Sequence, residues 1–315
     1  GVAAAAVLLA GGTALAVAVT TGEPAHSWWV LRVDALSAYM LIVIGAVAVL
    51  ATWAGVPYLD HELASGETDP LAARRYGLLV QLFIAAMATA VLADNLGILW
   101  VAVEGTTVVT ALLVGFRRNR AAMEAAWKYV IICSVGIGIA FLGTVLVYYA
   151  ALHGGVPAEH AMDWSALSAH AASLDSNVMR IAMALLLLGF GTKAGLVPMH
   201  SWLPDAHGQA PAPVSALMSG VLLAVAFYAI LRYKVLADAA TGVGFTRTLL
   251  IIAALGSLLL AAALLVAQRD YKRMLAYSSI EHMGLVALGA AIGSRLAVAA
   301  LLLHILGHGL GKAVL

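Results

Sequence analysis

Two oppositely charged residues lie in the middle of strongly apolar segments. Lys193 falls within VMRIAMALLLLGFGTKAGLV, and Glu104 within NLGILWVAVEGTTVVTALLVGF. A charge at the centre of a membrane helix costs at least about 2.5 kcal/mol, so such residues usually have partners and a function, of which ion movement is the first to consider. If the two residues approach, the protonated lysine is favoured, and separating them favours release of its proton. A static ion pair between two helices is the alternative interpretation.

The last apolar segment carries three titratable side chains on one face. In LLLHILGHGLGKAVL, His304, His308 and Lys312 are four residues apart, so they project from much the same side of a helix over ~12 Å. Imidazole accepts a proton on one nitrogen and donates from the other, which makes this stripe a candidate proton relay. A metal site would need a third ligand, and the spacing identifies none. Haem would need a facing histidine, for which only His282 is a candidate.

The segment LVPMHSWLPDAHGQAPAPVS contains helix breakers, among them Pro198 and Pro204, and the polar residue His200. Pro198 has no amide hydrogen and its ring collides with the carbonyl of Ala194, so a helix is predicted to break just after Lys193. Broken helices at membrane depth are tolerated where they line a hydrated cavity or are buried in protein. A simple interfacial turn with a snorkelling lysine is the alternative.

A further polar group lies in QRDYKRMLAYSSIEHMG. Ser278, Ser279, Glu281 and His282 occupy consecutive helical turns, where hydroxyls beside a carboxylate and an imidazole can order internal water. We therefore interpret these four residues, together with His200, as a supporting polar path.

The composition is that of a polytopic membrane protein. Hydrophobic residues make up 63% of the chain and charged residues 10%, with a mean hydropathy of +0.99. The net charge of +1 gives no indication of a nucleic-acid partner. The single cysteine, Cys133, cannot ligate an iron–sulfur cluster, which normally takes four cysteines. We therefore expect no cofactor or metal in this chain.

Hydropathy and breaker residues predict an all-α, polytopic transmembrane helix bundle with about ten spans. The predicted spans are, roughly, 1–21, 33–58, 75–93, 95–115, 128–152, 177–197, 212–236, 246–267, 274–293 and 296–315. Residues 1–315 are expected to form a single membrane domain that is truncated at both ends. If the helices alternate, the excess of Lys and Arg in 117–128 and 269–273 places those loops in the cytoplasm.

Three motifs resemble a known family of membrane subunits. They are GTKAGLVPMHSWLPDAHGQAPAPVSALMSG, RDYKRMLAYSSIEHMG and LWVAVEGTTVVTALLV. Together they resemble the antiporter-like subunits shared by respiratory complex I, Mrp-type cation/proton antiporters and group-four membrane-bound nickel–iron hydrogenases. The resemblance covers essentially the whole chain. AYSSIEHMG and HILGHGLGK look most similar to the F-type component of hydrogenase-4 and formate hydrogenlyase complexes.

The resemblance implies a fold of about fourteen helices with two inverted repeats of five, each containing a discontinuous helix. Residues 75–236 would form the first five-helix repeat and 246–315 part of the second. The second discontinuous helix and its exit-side charged residue would lie beyond Leu315, and about one helix before Gly1.

The resemblance also implies roles for particular residues. Glu104 looks like the family's mid-membrane glutamate and Lys193 like its broken-helix lysine. Lys312 looks like the central-axis lysine, and the histidines of the stripe lead to it. Relatives often carry a lysine or histidine at the position of Ala224. The link from Lys193 to the central axis would therefore run through water or through other groups.

The implied function is proton or sodium translocation by a membrane subunit of a redox complex, most specifically a membrane-bound hydrogenase. Iron–sulfur clusters and a nickel–iron site would lie in partner subunits. The expected partners are other antiporter-like and small membrane subunits, a soluble hydrogenase or complex I-like arm, and lipid, in the inner (cytoplasmic) membrane of a prokaryote. A stand-alone Mrp-type sodium/proton antiporter, an inorganic-carbon accumulation module, a membrane cytochrome and a non-pumping anchor remain alternatives.

Overall fold

The computed structural model describes residues 1–21 and 26–315, and its architecture is a bundle of long α-helices. Within these residues, nine helices are long and apolar enough to cross a membrane. The predicted fold class is thus confirmed, and the chain is a multi-pass membrane protein.

The helices follow one another with short connections. In chain order they are α1 (Val2–Thr20), α2 (Ala35–Ala64), α3 (Pro70–Leu92), α4 (Leu96–Val114), α5 (Arg120–His153), α6 (Trp164–Ala169), α7 (Ser176–Lys193), α8 (Trp202–Gln209), α9 (Ala212–Leu217), α10 (Leu223–Thr241), α11 (Val243–Leu265), α12 (Tyr271–Ile292) and α13 (Arg295–Val314). A small antiparallel hairpin, β1 (His26–Trp28) with β2 (Leu31–Val33), precedes α2. Two 3₁₀ turns, Ala158–His160 and Ala171–Ser173, flank α6.

Of the ten predicted spans, only 177–197 has no counterpart among the nine membrane-length helices of the described residues. Its helix, α7, has 18 residues and ends at Lys193, the residue after which the sequence predicts a break. Gly195 follows in the left-handed region with a φ of +77°, a conformation that favours glycine. A Cβ atom at this position would lie 2.5 Å from Leu203 Cδ1. The chain therefore turns away from the helix axis before Pro198.

Beyond the break, the chain re-enters the bundle through α8 and α9. Pro204 lies in the first turn of α8, where a missing amide hydrogen costs no helical hydrogen bond. A π-helical turn, Met218–Leu222, joins α9 to α10, and all five of its residues are buried. Such turns are rare and frequently lie at functional sites.

Close packing of small residues brings α7 against α5. A Cβ atom at Gly189 would lie 2.5 Å from the backbone nitrogen of Ala140, and one at Gly136 would lie 2.6 Å from Thr192 Cβ. Small residues allow such close contact between membrane helices, where packing rather than a hydrophobic driving force holds helices together. This contact places the end of α7 beside the middle of α5.

A buried ion pair joins α10 to the start of α2 at the end of the bundle predicted to face outwards. The Arg232 guanidinium donates to both Asp34 carboxylate oxygens, at 2.6 and 2.8 Å, and to the Tyr228 hydroxyl at 2.8 Å. Burial opposes ionisation of Asp34, but the hydrogen bonds and charge of Arg232 hold the pKa of its carboxyl well below its usual range. The pair holds the middle of α10, the helix that continues from the π-helical turn, against the start of α2.

Candidate functional site

Lys193 is completely enclosed by protein, with 0% of its surface exposed. Its ammonium donates to Thr107 Oγ1 at 2.9 Å and to the Tyr129 hydroxyl, and its nitrogen lies 4.6 Å from the centre of the Tyr129 ring. A buried charge is tolerated when it is paired and hydrogen-bonded. Side chains from α4 and α5 supply these contacts.

Glu104 contacts the same threonine. Thr107 Oγ1 donates to Glu104 Oε2 at 2.9 Å, and Ser134 Oγ donates to Oε1 at 2.9 Å. The sequence leaves open whether Glu104 and Lys193 approach each other. In the structure no direct ion pair joins them, because Thr107 lies between them. Together, the residues Glu104, Thr107, Ser134, Tyr129 and Lys193 are called the lysine–glutamate cluster below.

Histidines from α12 and α13 form a second cluster. His282 Nδ1 lies 2.9 Å from His304 Nε2, and the His282 ring centre lies 4.6 Å from that of His308. One turn further along α13, Lys312 donates to the carbonyl of Leu275 at 2.8 Å. The predicted stripe of α13 is therefore extended by His282, which contacts both of its histidines. His282, His304, His308 and Lys312 are called the histidine cluster below.

The π-helical turn connects α10 to the histidine cluster. His308 Nε2 lies 3.2 Å from the Ser219 carbonyl, and the Ser219 and Ser279 hydroxyls are 2.6 Å apart. Close contact at two glycines makes this possible, since a Cβ atom at Gly309 would lie 2.8 Å from the Gly220 carbonyl oxygen. The Nδ1 atom of His308 is buried and has no protein partner within the described ranges.

The remaining predicted residues lie at different distances from these clusters. Ser278 lines a cavity of about 520 Å³ with all four members of the histidine cluster. Glu281 is half-buried and hydrogen-bonds to no residue of the described chain. His200 is half-buried at the helix break, where Nδ1 lies 3.2 Å from the Pro198 carbonyl, and it contacts neither cluster.

One residue that the sequence interpretation missed, His207 in α8, lies between the two clusters. It is 3% exposed, and its Nε2 atom has no partner among residues 1–21 and 26–315. The Trp202 ring contacts both neighbours: its centre lies 6.3 Å from that of the His207 ring and 5.0 Å from that of the Tyr129 ring. His207 also lines a cavity of about 120 Å³ that includes Ser219 and Lys312. The sequence feature that could have identified His207 is its position in the LPDAHG motif.

The side chains of both clusters can hold and exchange protons, since they are an ammonium, a carboxylate, imidazoles and hydroxyls. Among the residues that the structure describes, no three His, Cys, Asp or Glu side chains are grouped so as to hold a metal ion. The buried lysine at a helix break and the histidines shared by α12 and α13 define a class of multi-pass membrane proteins that carry titratable groups inside the helix bundle.

Comparison with known families agrees with this class. The chain belongs to the NADH:quinone oxidoreductase/Mrp antiporter transmembrane family, whose model matches residues 93–315. The resemblance predicted from the motifs is thus confirmed.

Individual relatives are similar over most of this chain. It is 40% identical over 283 residues to a hydrogenase-4 component F homolog from Methylacidiphilum infernorum (isolate V4), covering 90% of this chain but 60% of the relative, so it spans less than two thirds of that protein. A chain of the Mrp complex from Dietzia sp. DQ12-45-1b is 25% identical with a TM-score of 0.81, over 100% of this chain and 57% of that one. A chain of an archaeal membrane-bound sulfane sulfur reductase shares the fold, with a TM-score of 0.87 at 24% identity, over 99% of this chain and 63% of that one.

Proposed function

We propose that this chain is the proton-translocating, antiporter-like membrane subunit of a multisubunit redox complex of the membrane-bound hydrogenase type. The observation that carries the proposal is the pair of clusters of titratable groups within the helix bundle, with the buried His207 between them. Similarity to a hydrogenase-4 component F homolog supports the hydrogenase assignment. On this proposal, iron–sulfur clusters and a nickel–iron site belong to partner subunits, and this chain contributes proton movement alone.

The first step of the proposed route takes place in the lysine–glutamate cluster. Electron transfer in the partner subunits changes the local electrostatics, and Glu104 moves relative to Lys193. While Thr107 bridges them, the lysine retains its proton. When the carboxylate withdraws, the buried ammonium loses its compensation and releases the proton.

The second step passes through His207 instead of the position of Ala224. Ala224 is buried and carries no titratable group, so it cannot relay a proton. His207 has an unpartnered ring nitrogen beside the 120 Å³ cavity that reaches Lys312. A water molecule needs about 10–15 Å³ of accessible volume and at least two polar partners, and this cavity offers both. Water therefore completes the connection to the histidine cluster.

The wider assignments follow from the same proposal. The complex would lie in the inner membrane of a prokaryote, with other antiporter-like and small membrane subunits and a soluble hydrogenase or complex I-like arm as partners. Residues 75–236 and 246–315 would correspond to one inverted repeat and part of another.

Redox-driven proton translocation by the intact complex in sealed vesicles tests the proposal. Lys193→Ala and Glu104→Gln should each abolish translocation. Lys234→Ala should preserve it, because Lys234 pairs with Asp238 and belongs to neither cluster. Assembly of every variant is checked by subunit content. Normal translocation by assembled Lys193→Ala complexes would mean that this subunit is an anchor, or that its protons take another route.

A stand-alone sodium/proton antiporter is the second candidate, favoured by the structural similarity to the Mrp complex. The same vesicles separate the two functions. An electron donor should drive acidification in a redox complex, whereas a sodium gradient alone should move protons in an antiporter.

A further inference from the structure

An apolar groove runs between α3, α4 and α5 at the end of the bundle predicted to face the cytoplasm. Its volume is about 810 Å³, and exposed apolar side chains form much of its wall, including Leu78, Leu112, Met123 and Trp127. Acyl chains of lipid are suited to such a surface, because they fill it without any need for hydrogen bonds. Tryptophan at its edge is typical of the boundary between the hydrocarbon and the headgroups.

Two arginines lie where the groove ends. Arg75 at the start of α3 and Arg118 after α4 are both exposed and line the groove. Neither forms an ion pair or a side-chain hydrogen bond with any described residue, in contrast to neighbouring Arg117, which donates to Glu62 at 2.9 Å. Arg118 also adopts a φ of +51°, an uncommon conformation for a residue with a side chain. Two unpaired guanidinium groups beside an apolar groove suit a phosphate joined to acyl chains.

A polar cavity of about 510 Å³ adjoins the arginines on the side away from the apolar groove. It shares Arg75 and Arg118 with the groove and is also lined by Glu67, Asp69 and Asn119. Carboxylates accept hydrogen bonds from hydroxyls but repel a second phosphate. The cavity therefore fits a headgroup that carries hydroxyl groups beyond its phosphate.

We propose that this groove binds one phosphatidylglycerol-type anionic phospholipid. The acyl chain occupies the groove against Trp127, Arg75 and Arg118 bind the phosphate, and the glycerol hydroxyls of the headgroup donate to Glu67 and Asp69. An apolar helix of a neighbouring subunit would leave both guanidinium groups without a counter-charge, so charge complementarity favours the lipid. The inference depends on the groove alone and is independent of the proposed proton route.

The test is retention of added lipid by the intact, delipidated complex, measured by native mass spectrometry with phosphatidylglycerol or phosphatidylethanolamine. The double variant R75Q/R118Q should bind phosphatidylglycerol about tenfold less than wild type. R74Q/R120Q is the matched control, because it removes the same charge from exposed arginines that do not line the groove. It should bind as wild type does.

A second variant tests the groove separately from its charge. Ala111→Trp fills the apolar part and should abolish retention with both arginines in place. Three outcomes would each overturn the proposal. R75Q/R118Q and R74Q/R120Q could lose phosphatidylglycerol equally, or wild type could retain phosphatidylglycerol and phosphatidylethanolamine equally. The third outcome is a cross-link from Leu112 to another subunit. If R75Q/R118Q fails to assemble, the Ala111→Trp result decides.

Discussion

The lysine–glutamate cluster and the histidine cluster both contain titratable side chains, but the hydrogen bonding of these side chains differs between the two. In the first, Lys193 and both carboxylate oxygens of Glu104 have hydrogen-bond partners on neighbouring side chains. In the second, His308 keeps a buried nitrogen that has no partner among the described residues, and a cavity adjoins this histidine. A fully bonded group holds its charge in place, whereas spare hydrogen-bonding capacity allows water and protons to enter. The first cluster is suited to storing a proton and the second to passing it on.

The largest effect is expected from a substitution that distinguishes two roles for Lys193, a group that releases its proton and a partner in a static ion pair. Lys193→Arg keeps the positive charge, but a guanidinium does not lose its proton in a protein. A static ion pair would tolerate this change, whereas a proton-releasing group would not, so translocation in vesicles should fall by more than about tenfold. Lys234→Arg serves as the control. Translocation above half of the wild-type rate in assembled Lys193→Arg complexes would support the static pair.

The connection between the clusters is tested at His207. His207→Phe preserves an aromatic ring against Trp202 but removes both nitrogens, and we expect proton translocation to fall about tenfold, because a relay group is lost. His170→Phe, in an exposed turn, should have no effect. Unchanged translocation in the His207 variant would show that protons pass between the clusters without it.

A smaller effect is expected from the bridge within the first cluster. Thr107→Val keeps the shape but leaves Lys193 and Glu104 each one hydrogen bond short, which costs about 1–3 kcal/mol. Translocation should therefore fall several-fold rather than disappear. Thr89→Val, which removes an exposed hydroxyl bonded only to the Ala85 carbonyl, is the matched control. A loss as complete as that of Lys193→Arg would mean that the hydroxyl itself carries the proton.

The smallest effect on translocation is expected from a substitution at the contact between α13 and the π-helical turn. The same substitution should measurably lower the stability of the complex. Gly309→Ala places a methyl group 2.8 Å from the Gly220 carbonyl oxygen and should destabilise the complex by about 1–3 kcal/mol, seen as a lower melting temperature. Gly307→Ala makes the same change where nothing lies within 4 Å. Equal melting temperatures would show that α13 is free to shift.

The sequence identifies the charged residues of both clusters but not their partners. Lys193, Glu104 and the α13 stripe are recognisable because ionisable residues in apolar runs are rare. Thr107 and Tyr129 are ordinary residues whose role depends on which helices are neighbours, and spacing along one helix does not determine that. The break after Lys193 is predictable from proline chemistry.

Two further features escaped prediction for related reasons. The π-helical turn at Ser219 contains no proline, and its single glycine, Gly220, meets Gly309 of α13 backbone to backbone, a contact between helices that spacing along the chain does not reveal. His207 was not singled out, because its position in a proline-containing motif gives no indication that the folded chain buries it between two clusters.

The position of Lys193 at the very end of α7 has an electrostatic consequence. Aligned peptide dipoles place roughly half of a negative elementary charge at the carboxyl end of a helix, which stabilises a cation there. The break in the helix brings this charge to the middle of the bundle, beside the ammonium. The backbone of α7 thus offsets part of the positive charge of Lys193, and no side-chain substitution can remove this contribution. On the proposed route, Glu104 supplies the part of the compensation that changes, so a small movement of one carboxylate would be enough to release the proton.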